Sequence, residues 1–86
     1  MNEAEFQLLS DFKRERNEAL LSLDEAKIRA MHLKWNGEEL SHRNEVFWGI
    51  VHKSITAIET LPIEFRRRSK AWLDERGLKS LDGGDL

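Results

Sequence analysis

Three histidines, His32, His42 and His52, are the side chains of this sequence that could bind a metal ion or transfer protons near neutral pH. They are ten residues apart, and at about 100° of helical rotation per residue this spacing places no two of them on one helix face. Helical metal sites use ligands three or four residues apart, and neither His-x-x-x-His nor Glu-x-x-His occurs within a predicted helix. Glu39 and His42 have the second spacing but lie in a predicted loop. The sequence therefore predicts no metal site.

His52 has the most distinctive surroundings of the three, because it lies at the edge of the predicted third helix between Trp48 and Ile55. Glu45 and Glu59 lie further along on either side, and one interpretation is a partly buried, pH-sensitive pocket. The other interpretation is a histidine at the edge of the core whose ring packs on a tryptophan. Trp48 and His52 form a flank of this helix that we consider a candidate binding surface.

Patterns typical of enzyme active sites are missing from the sequence. No serine lies in a Gly-x-Ser-x-Gly turn, and Ser22 and Ser41 are candidate helix caps. The chain has no cysteine, and Gly83-Gly84 follows no predicted strand and precedes no predicted helix. The carboxylates are predicted on solvated helix faces, where they stay ionised. We therefore predict a non-enzymatic protein that needs no cofactor.

A run of basic residues in the predicted fourth helix is the strongest candidate for a binding surface. The formal charge of the chain is −2, which excludes nucleic-acid binding by bulk charge, but residues 1–25 hold −4 and residues 62–79 hold +3. Arg67 and Lys70 are predicted to point away from the apolar side chains of the helix, with Arg66 at the edge and Arg68 on the other shoulder. The predicted binding residues of this helix are Arg66, Arg67, Arg68 and Lys70.

Three interpretations of this basic run stay open at the level of sequence. It is a solvated face in which Glu64–Arg68 and Lys70–Asp74 form ordinary i,i+4 ion pairs. It binds an acidic protein surface, or it binds the phosphates of a nucleic acid. A helix-turn-helix made by the third and fourth helices is disfavoured, because the third is too long and the glycine of the usual turn is missing.

Two arginines lie on helix faces that are otherwise apolar. Arg16 falls among leucine and phenylalanine side chains of the first helix, and Arg76 lies on the apolar side of the fourth. One interpretation is that the aliphatic stem packs while the guanidinium reaches water. The other is that these faces continue into an interface, which predicts a homodimer with Arg16 and Arg76 as interface residues.

Capping patterns and the spacing of apolar residues predict the helices that position these residues. Asn2 and Glu5 have the spacing of a capping box, Ser22 repeats it, and Asn44 is a candidate N-cap. Gly77-Leu78 has the pattern of a Schellman-type helix end. The predicted fold class is all-α, a compact antiparallel bundle of about four helices. Their approximate ranges are 3–21, 23–36, 45–60 and 62–76, in a single domain over 1–78 that is followed by a frayed, flexible tail over 79–86.

No segment of the sequence predicts a membrane span or a targeting signal. The longest apolar run, Val46 to Val51, is far shorter than the roughly 20 residues that a spanning helix needs. The amino terminus is acidic and no apolar stretch follows it. We expect a cytoplasmic protein without a membrane partner.

Three stretches of the chain, Arg16–Asp24, Val46–Lys53 and Ser69–Gly77, resemble a group of short bacterial open reading frames found among mobile-element genes. The resemblance covers most of the chain but implies no activity and no functional residue. It implies one recurring block in which the third and fourth helices pack together, made of Phe47, Trp48, His52, Trp72 and Gly77.

Together these patterns predict a small protein-interaction or regulatory module, of phage or mobile-element origin. It is expected to bind a protein through the basic face of the fourth helix and the Trp48/His52 flank. The alternative is a nucleic-acid-binding accessory protein that uses the four cations of the basic run.

Overall fold

The computed structural model describes residues 2–84 and 86, and in that part of the chain the fold is all-α without a strand. The predicted all-α class with four helices is confirmed. No helix among the described residues combines the length and the apolar character needed to cross a membrane. The helices are α1 over Glu3–Ser22, α2 over Glu25–Asn36, α3 over Asn44–Ala57 and α4 over Ile63–Glu75.

Side-chain caps set the starts of α1 and α2. The Glu5 backbone N–H donates to Asn2 Oδ1 at 2.8 Å and the Glu5 carboxylate accepts from the Asn2 backbone, so the predicted capping box is confirmed. The predicted role of Ser22 as the cap of α2 is wrong. Ser22 stays in α1, and Asp24 caps α2 instead, because the left-handed conformation of Leu23 (φ 52°) separates the two helices by one more residue.

The start of α3 differs by one residue from the prediction. Asn44, expected as the N-cap, is the first residue of the helix and has a φ of 53°, a left-handed conformation that asparagine tolerates better than most residues. Arg43 occupies the N-cap position and makes no side-chain cap.

The joint between α3 and α4 begins earlier than the sequence predicts. α3 ends at Ala57 rather than near residue 60, since Ile58 leaves the helical region with φ −92° and ψ 99°. The Leu61 N–H donates to the Ile58 carbonyl at 3.1 Å, and the turn buries the Leu61 side chain. Pro62 takes the N-cap position of α4, where its carbonyl accepts from two N–H groups of the first turn.

The predicted Schellman end of α4 is confirmed. The Leu78 N–H donates to the Leu73 carbonyl at 2.9 Å, and the Gly77 N–H donates to the Asp74 carbonyl at 3.1 Å. Gly77 has a φ of 69°, which a residue with a Cβ adopts only at a cost. The motif turns the chain sharply, so Leu78 lies back against the helical pair.

Contacts divide the chain into two helical units. The first ends at Ser41 and pairs α1 with α2, whereas the second begins at His42 and pairs α3 with α4. The sequence predicts a single domain over 1–78 instead. The second unit has the larger core. Buried apolar side chains are Ala19, Leu20 and Ile28 in the first unit, and Phe47, Val51, Ile55, Leu61 and Leu73 in the second.

In the first unit, Phe12 and Glu15 of α1 contact side chains at the end of α2. The rings of Phe12 and Trp35 meet edge to face with centroids 5.4 Å apart. Glu15 accepts hydrogen bonds from Lys34 Nζ and from Trp35 Nε1, both at 2.7 Å. These bonds lower the pKa of the Glu15 carboxyl, the bond from Lys34 being the larger cause.

The carboxyl-terminal segment packs on the second unit, where the sequence predicts a frayed tail over 79–86. The Leu81 N–H donates to Thr56 Oγ1 of α3 at 2.9 Å. Asp82 is buried and accepts from Ser80 Oγ at 2.5 Å and from the Leu86 N–H at 2.8 Å. These two bonds, with the nearby Lys70 ammonium, lower the pKa of Asp82 to about 2. Residue 85 lies outside the described residues.

Candidate functional site

His52 lies buried between α3 and α4. Its Nδ1 is hydrogen bonded to Ser69 Oγ at 2.9 Å, and its ring stacks on Trp72 with centroids 4.4 Å apart and planes 24° apart. Trp48, on the other side, is tilted and more distant, at 6.2 Å. Of the two interpretations of the sequence, the structure agrees with a core-edge histidine on a tryptophan, but the main stacking partner is Trp72.

Electrostatics around His52 favour the neutral ring. Burial lowers the pKa of His52, and the positive charge of Arg76 lowers it further. Neither glutamate of the predicted pocket provides a countercharge, because Glu45 is paired with Arg76 and Glu59 is solvent-exposed. His52 is therefore a neutral, structural partner of Ser69 and Trp72.

Trp72 is held between His52 and Arg76. The Arg76 guanidinium carbon lies 3.8 Å from the centroid of the Trp72 ring, and Arg76 Nη1 donates to the Trp72 carbonyl at 3.0 Å. Arg76 Nε donates to Glu45 Oε1 at 3.4 Å, which links the end of α4 to the start of α3. Arg76, predicted as an interface residue, thus has its contacts within its own unit. We refer to these three side chains as the His52–Trp72–Arg76 stack.

Beside the stack, a shallow groove runs along the outer face of α3. Its volume is about 350 Å³. Gly49 forms its floor, since a Cβ at this position would lie 3.7 Å from Leu78 Cδ1. Val46 is 60% exposed, and Ile50 and Leu78 are also exposed, so the walls are apolar and open to solvent. This α3 groove is lined by Glu45, Val46, Gly49, Ile50, Lys53, Arg76 and Leu78.

Of the charged residues at the rim of the α3 groove, Glu45 and Arg76 pair with each other and Lys53 does not pair with either of them. Glu45 and Arg76 form an ion pair at 3.4 Å. Within residues 2–84 and 86, no carboxylate forms an ion pair with Lys53. The groove therefore combines exposed apolar walls with one cation that has no countercharge in the described part of the chain.

The structure divides the basic run of α4 into different environments. Arg66, predicted at the edge of the helix's basic face and as a binding residue, is buried: its side chain is only 6% exposed, and its Nη2 donates to the Thr56 carbonyl at 2.7 Å. The cause is the early end of α3, which turns the Thr56 carbonyl toward α4. Lys70 Nζ lies 3.7 Å from Asp82 rather than pairing with Asp74.

Arg67 and Arg68 are the exposed members of the run. The guanidinium of Arg68 lies 5.7 Å from the centroid of the Phe65 ring, in place of the predicted ion pair with Glu64. The basic face predicted for α4 therefore consists of two exposed arginines, Arg67 and Arg68, and the partly exposed Lys70, which is paired with Asp82.

The remaining predicted residues lie apart from the groove lining. Trp48 is half-buried and meets Phe47 edge to face at 4.9 Å. Arg16 belongs to the first unit, where its Nε and Nη2 donate to Asn17 Oδ1 at 3.1 Å and its guanidinium lies 5.5 Å from the Phe12 ring centroid.

Sequence reasoning missed Gly49, Ile50 and Leu78 as possible binding residues. Gly49 has no functional group that would mark it as a binding residue. It does interrupt a run of large side chains in α3, and such an interruption is compatible with a groove. Leu78 is interpretable as a helix stop, but its position beside α3 follows only from the turn at Gly77.

The Ser69 hydroxyl is buried and hydrogen bonded to His52, so it is not presented to a substrate. In the part of the chain that the structure describes, no three His, Asp or Glu side chains are grouped as metal ligands. Comparison of the chain with family models, curated proteins and solved structures finds no match.

Proposed function

We propose that this chain is a small protein-interaction module that acts by binding, and that the α3 groove of its second unit is the binding site. The observation that carries the proposal is an open apolar groove with Gly49 at its floor and charged residues at its rim. The predicted origin among mobile-element genes and the cytoplasmic location stay predictions.

The occupant that fits this groove is an amphipathic segment of a protein partner. Exposed Val46, Ile50 and Leu78 gain by leaving water, and the groove that they line accepts an apolar anchor from the partner. Lys53 at the rim favours an acidic residue beside that anchor. Glu45 is already held by Arg76, so it does not offset this preference.

The proposal is tested by selecting peptides from a displayed random library against the intact chain. We expect the selected peptides to share an apolar anchor followed by an acidic residue. Their affinity should fall at least about tenfold with Gly49→Leu, which fills the groove floor, and several-fold with Lys53→Glu. Ser54→Leu is the matched control, because it adds the same side chain to the same helix at a position outside the groove lining.

Two outcomes would overturn the proposal. One is that no peptide is enriched over a library selected without the protein. The other is that enriched peptides bind Gly49→Leu as tightly as they bind the wild type.

The nucleic-acid alternative depends on Arg67 and Arg68, since Arg66 is buried and Lys70 is paired with Asp82. Titrating labelled duplex and single-stranded DNA at two salt concentrations separates the two functions. Salt-dependent binding that Arg67→Ala weakens would favour the alternative, whereas no binding at low salt would remove it.

A further inference from the structure

The amino-terminal half of α1 is an apolar surface that its own hairpin leaves uncovered. Phe6 is 64% exposed and Leu9 is 40% exposed. Residues 3–10 of α1 are all exposed, whereas Phe12 is partly buried and its ring meets Trp35, near the end of α2 at Asn36. This exposed stretch of α1 is about 12 Å long.

The chain after α2 turns back instead of covering this surface. Gly37 ends α2 in the left-handed conformation, with φ 75°. Further on, the Leu40 carbonyl accepts a hydrogen bond from the Arg29 guanidinium near the middle of α2. The segment that follows α2 therefore lies along α2 rather than along the first turns of α1.

The uncovered face has a symmetric order of side chains about Leu9. Phenylalanines lie three residues before and three residues after it, at Phe6 and Phe12. Opposite charges lie four residues before and four after, at Glu5 and Lys13. At about 100° per residue these five residues fall within one third of the helix circumference. We refer to them as the α1 stripe.

Such an order is complementary to itself when two helices run antiparallel. With a two-fold axis at the level of Leu9, Phe6 lies level with Phe12 of the second copy, and Glu5 lies level with Lys13 of the second copy. Symmetry makes each of these pairs twice, while the two Leu9 side chains meet at the axis. Among the described residues no carboxylate forms an ion pair with Lys13, and the Glu5 carboxylate accepts a single hydrogen bond, from the Asn2 backbone N–H, so both charges have capacity for a partner.

We propose that the α1 stripe is the interface of a homodimer in which two copies of α1 pack antiparallel about Leu9. This surface is separate from the α3 groove, and the dimer stands or falls independently of the function proposed for the groove. Phe12 contributes to the stripe as well as to the hairpin, because its ring meets Trp35 and the Arg16 guanidinium while the side chain stays partly exposed.

Sedimentation equilibrium of the full chain across a wide concentration range at low salt tests the proposal. We expect a mass that rises from 10.1 kDa toward twice that value as the concentration increases. Phe6→Ala should weaken the dimer at least about tenfold, because it removes two aromatic contacts at once. Leu33→Ala is the matched control, since Leu33 is an exposed leucine of the same unit that lies on α2.

Charge reversal provides the decisive arm of the experiment. Glu5→Lys and Lys13→Glu each place like charges opposite one another twice, so each variant alone should be monomeric where the wild type is a dimer. An equimolar mixture of the two variants restores opposite charges at both pairs and should form a heterodimer. Because Glu5→Lys also removes a capping-box contact, rescue by mixing shows that pairing, rather than folding, is responsible.

A wild-type chain that stays monomeric at the highest concentration would overturn the proposal. It would fail equally if a dimer formed but the two charge-reversal variants dimerised like the wild type, since another surface would then hold the copies together.

Discussion

Arg66 and Arg67 are adjacent, have the same side chain and lie in opposite environments. Arg66 is buried, and its Nη2 donates to the Thr56 carbonyl, while its Nε has no hydrogen-bond partner among the described residues. Arg67 is exposed. A basic run in a sequence therefore does not state how many of its charges a ligand can reach.

We expect Arg66→Ala to lower the free energy of unfolding by about 1–3 kcal/mol, because it leaves the Thr56 carbonyl buried without a donor. Arg67→Ala should change it by no more than about 0.5 kcal/mol. Chemical denaturation of the two variants beside the wild type checks the difference. Equal effects would contradict the buried position of Arg66.

His52 predicts a pH-dependent stability. Its pKa is lowered in the folded chain, first by burial and then by the Arg76 charge, whereas unfolded His52 takes up a proton near its ordinary value of 6.5. The stabilisation is thus complete above that value and is lost as the pH falls below it. Denaturant unfolding between about pH 8 and pH 5 should show this loss.

The matched variants for this pH dependence are His52→Gln and His32→Gln. His52→Gln should flatten the fall in stability below neutral pH, while His32→Gln, which alters a histidine of the first unit, should retain it. An unchanged pH profile in His52→Gln would show that another group is responsible.

At the scale of elements, the segment after α4 acts as a third layer on the helical pair of the second unit. Thr56 Oγ1 connects the two, since it accepts from the Leu81 N–H and donates to the Lys53 carbonyl at 2.8 Å. One hydroxyl group thus joins α3 to a segment 25 residues further along the chain.

We expect Thr56→Val to lower the free energy of unfolding by about 0.5–1.5 kcal/mol and to speed amide exchange at Leu81, because the partly buried Leu81 N–H loses its acceptor. Ser54→Ala is the control. Its hydroxyl donates only to the Ile50 carbonyl within α3, so exchange at Leu81 should not change. A Leu81 amide that exchanges equally fast in both variants and in the wild type would contradict the docking of the segment.

The helix ends that the sequence predicts correctly are those marked by a local sequence pattern. The capping box at Asn2 and the Schellman end at Gly77 are local patterns, and both were predicted correctly. The end of α3 and the docking of Leu81 were not, because they depend on a carbonyl and a hydroxyl of Thr56 that only tertiary packing orients. The α3 groove was not predictable from the sequence either, because its floor, Gly49, has no side chain that would give a pattern.

At the scale of the whole molecule, the two units differ in how much apolar surface they bury. The second unit encloses Phe47, Val51, Ile55 and Leu73 almost completely, whereas the buried apolar residues described in the first are Ala19, Leu20 and Ile28. A hairpin with so small a core depends on further contacts, because a short isolated helix is marginal in water.

We therefore expect a fragment of residues 42–86 to unfold cooperatively on heating, when followed by circular dichroism. A fragment of residues 1–41 should have little helix at low concentration and gain helix as its concentration rises. A fragment 42–86 without a cooperative transition would contradict the self-sufficiency of the second unit.

Because the Schellman turn at Gly77 follows α4 in the chain, the α3–α4 pair is synthesised before the residue that completes the α3 groove. The α3–α4 pair can close as soon as residue 75 has left the ribosome, because its contacts are local to this unit. The wall of the α3 groove that Leu78 provides arrives only afterwards, and the turn at Gly77 must form to place it. A nascent chain stalled at the end of α4 would thus have the α3–α4 pair without the complete α3 groove, so the pair forms before the proposed binding site is complete.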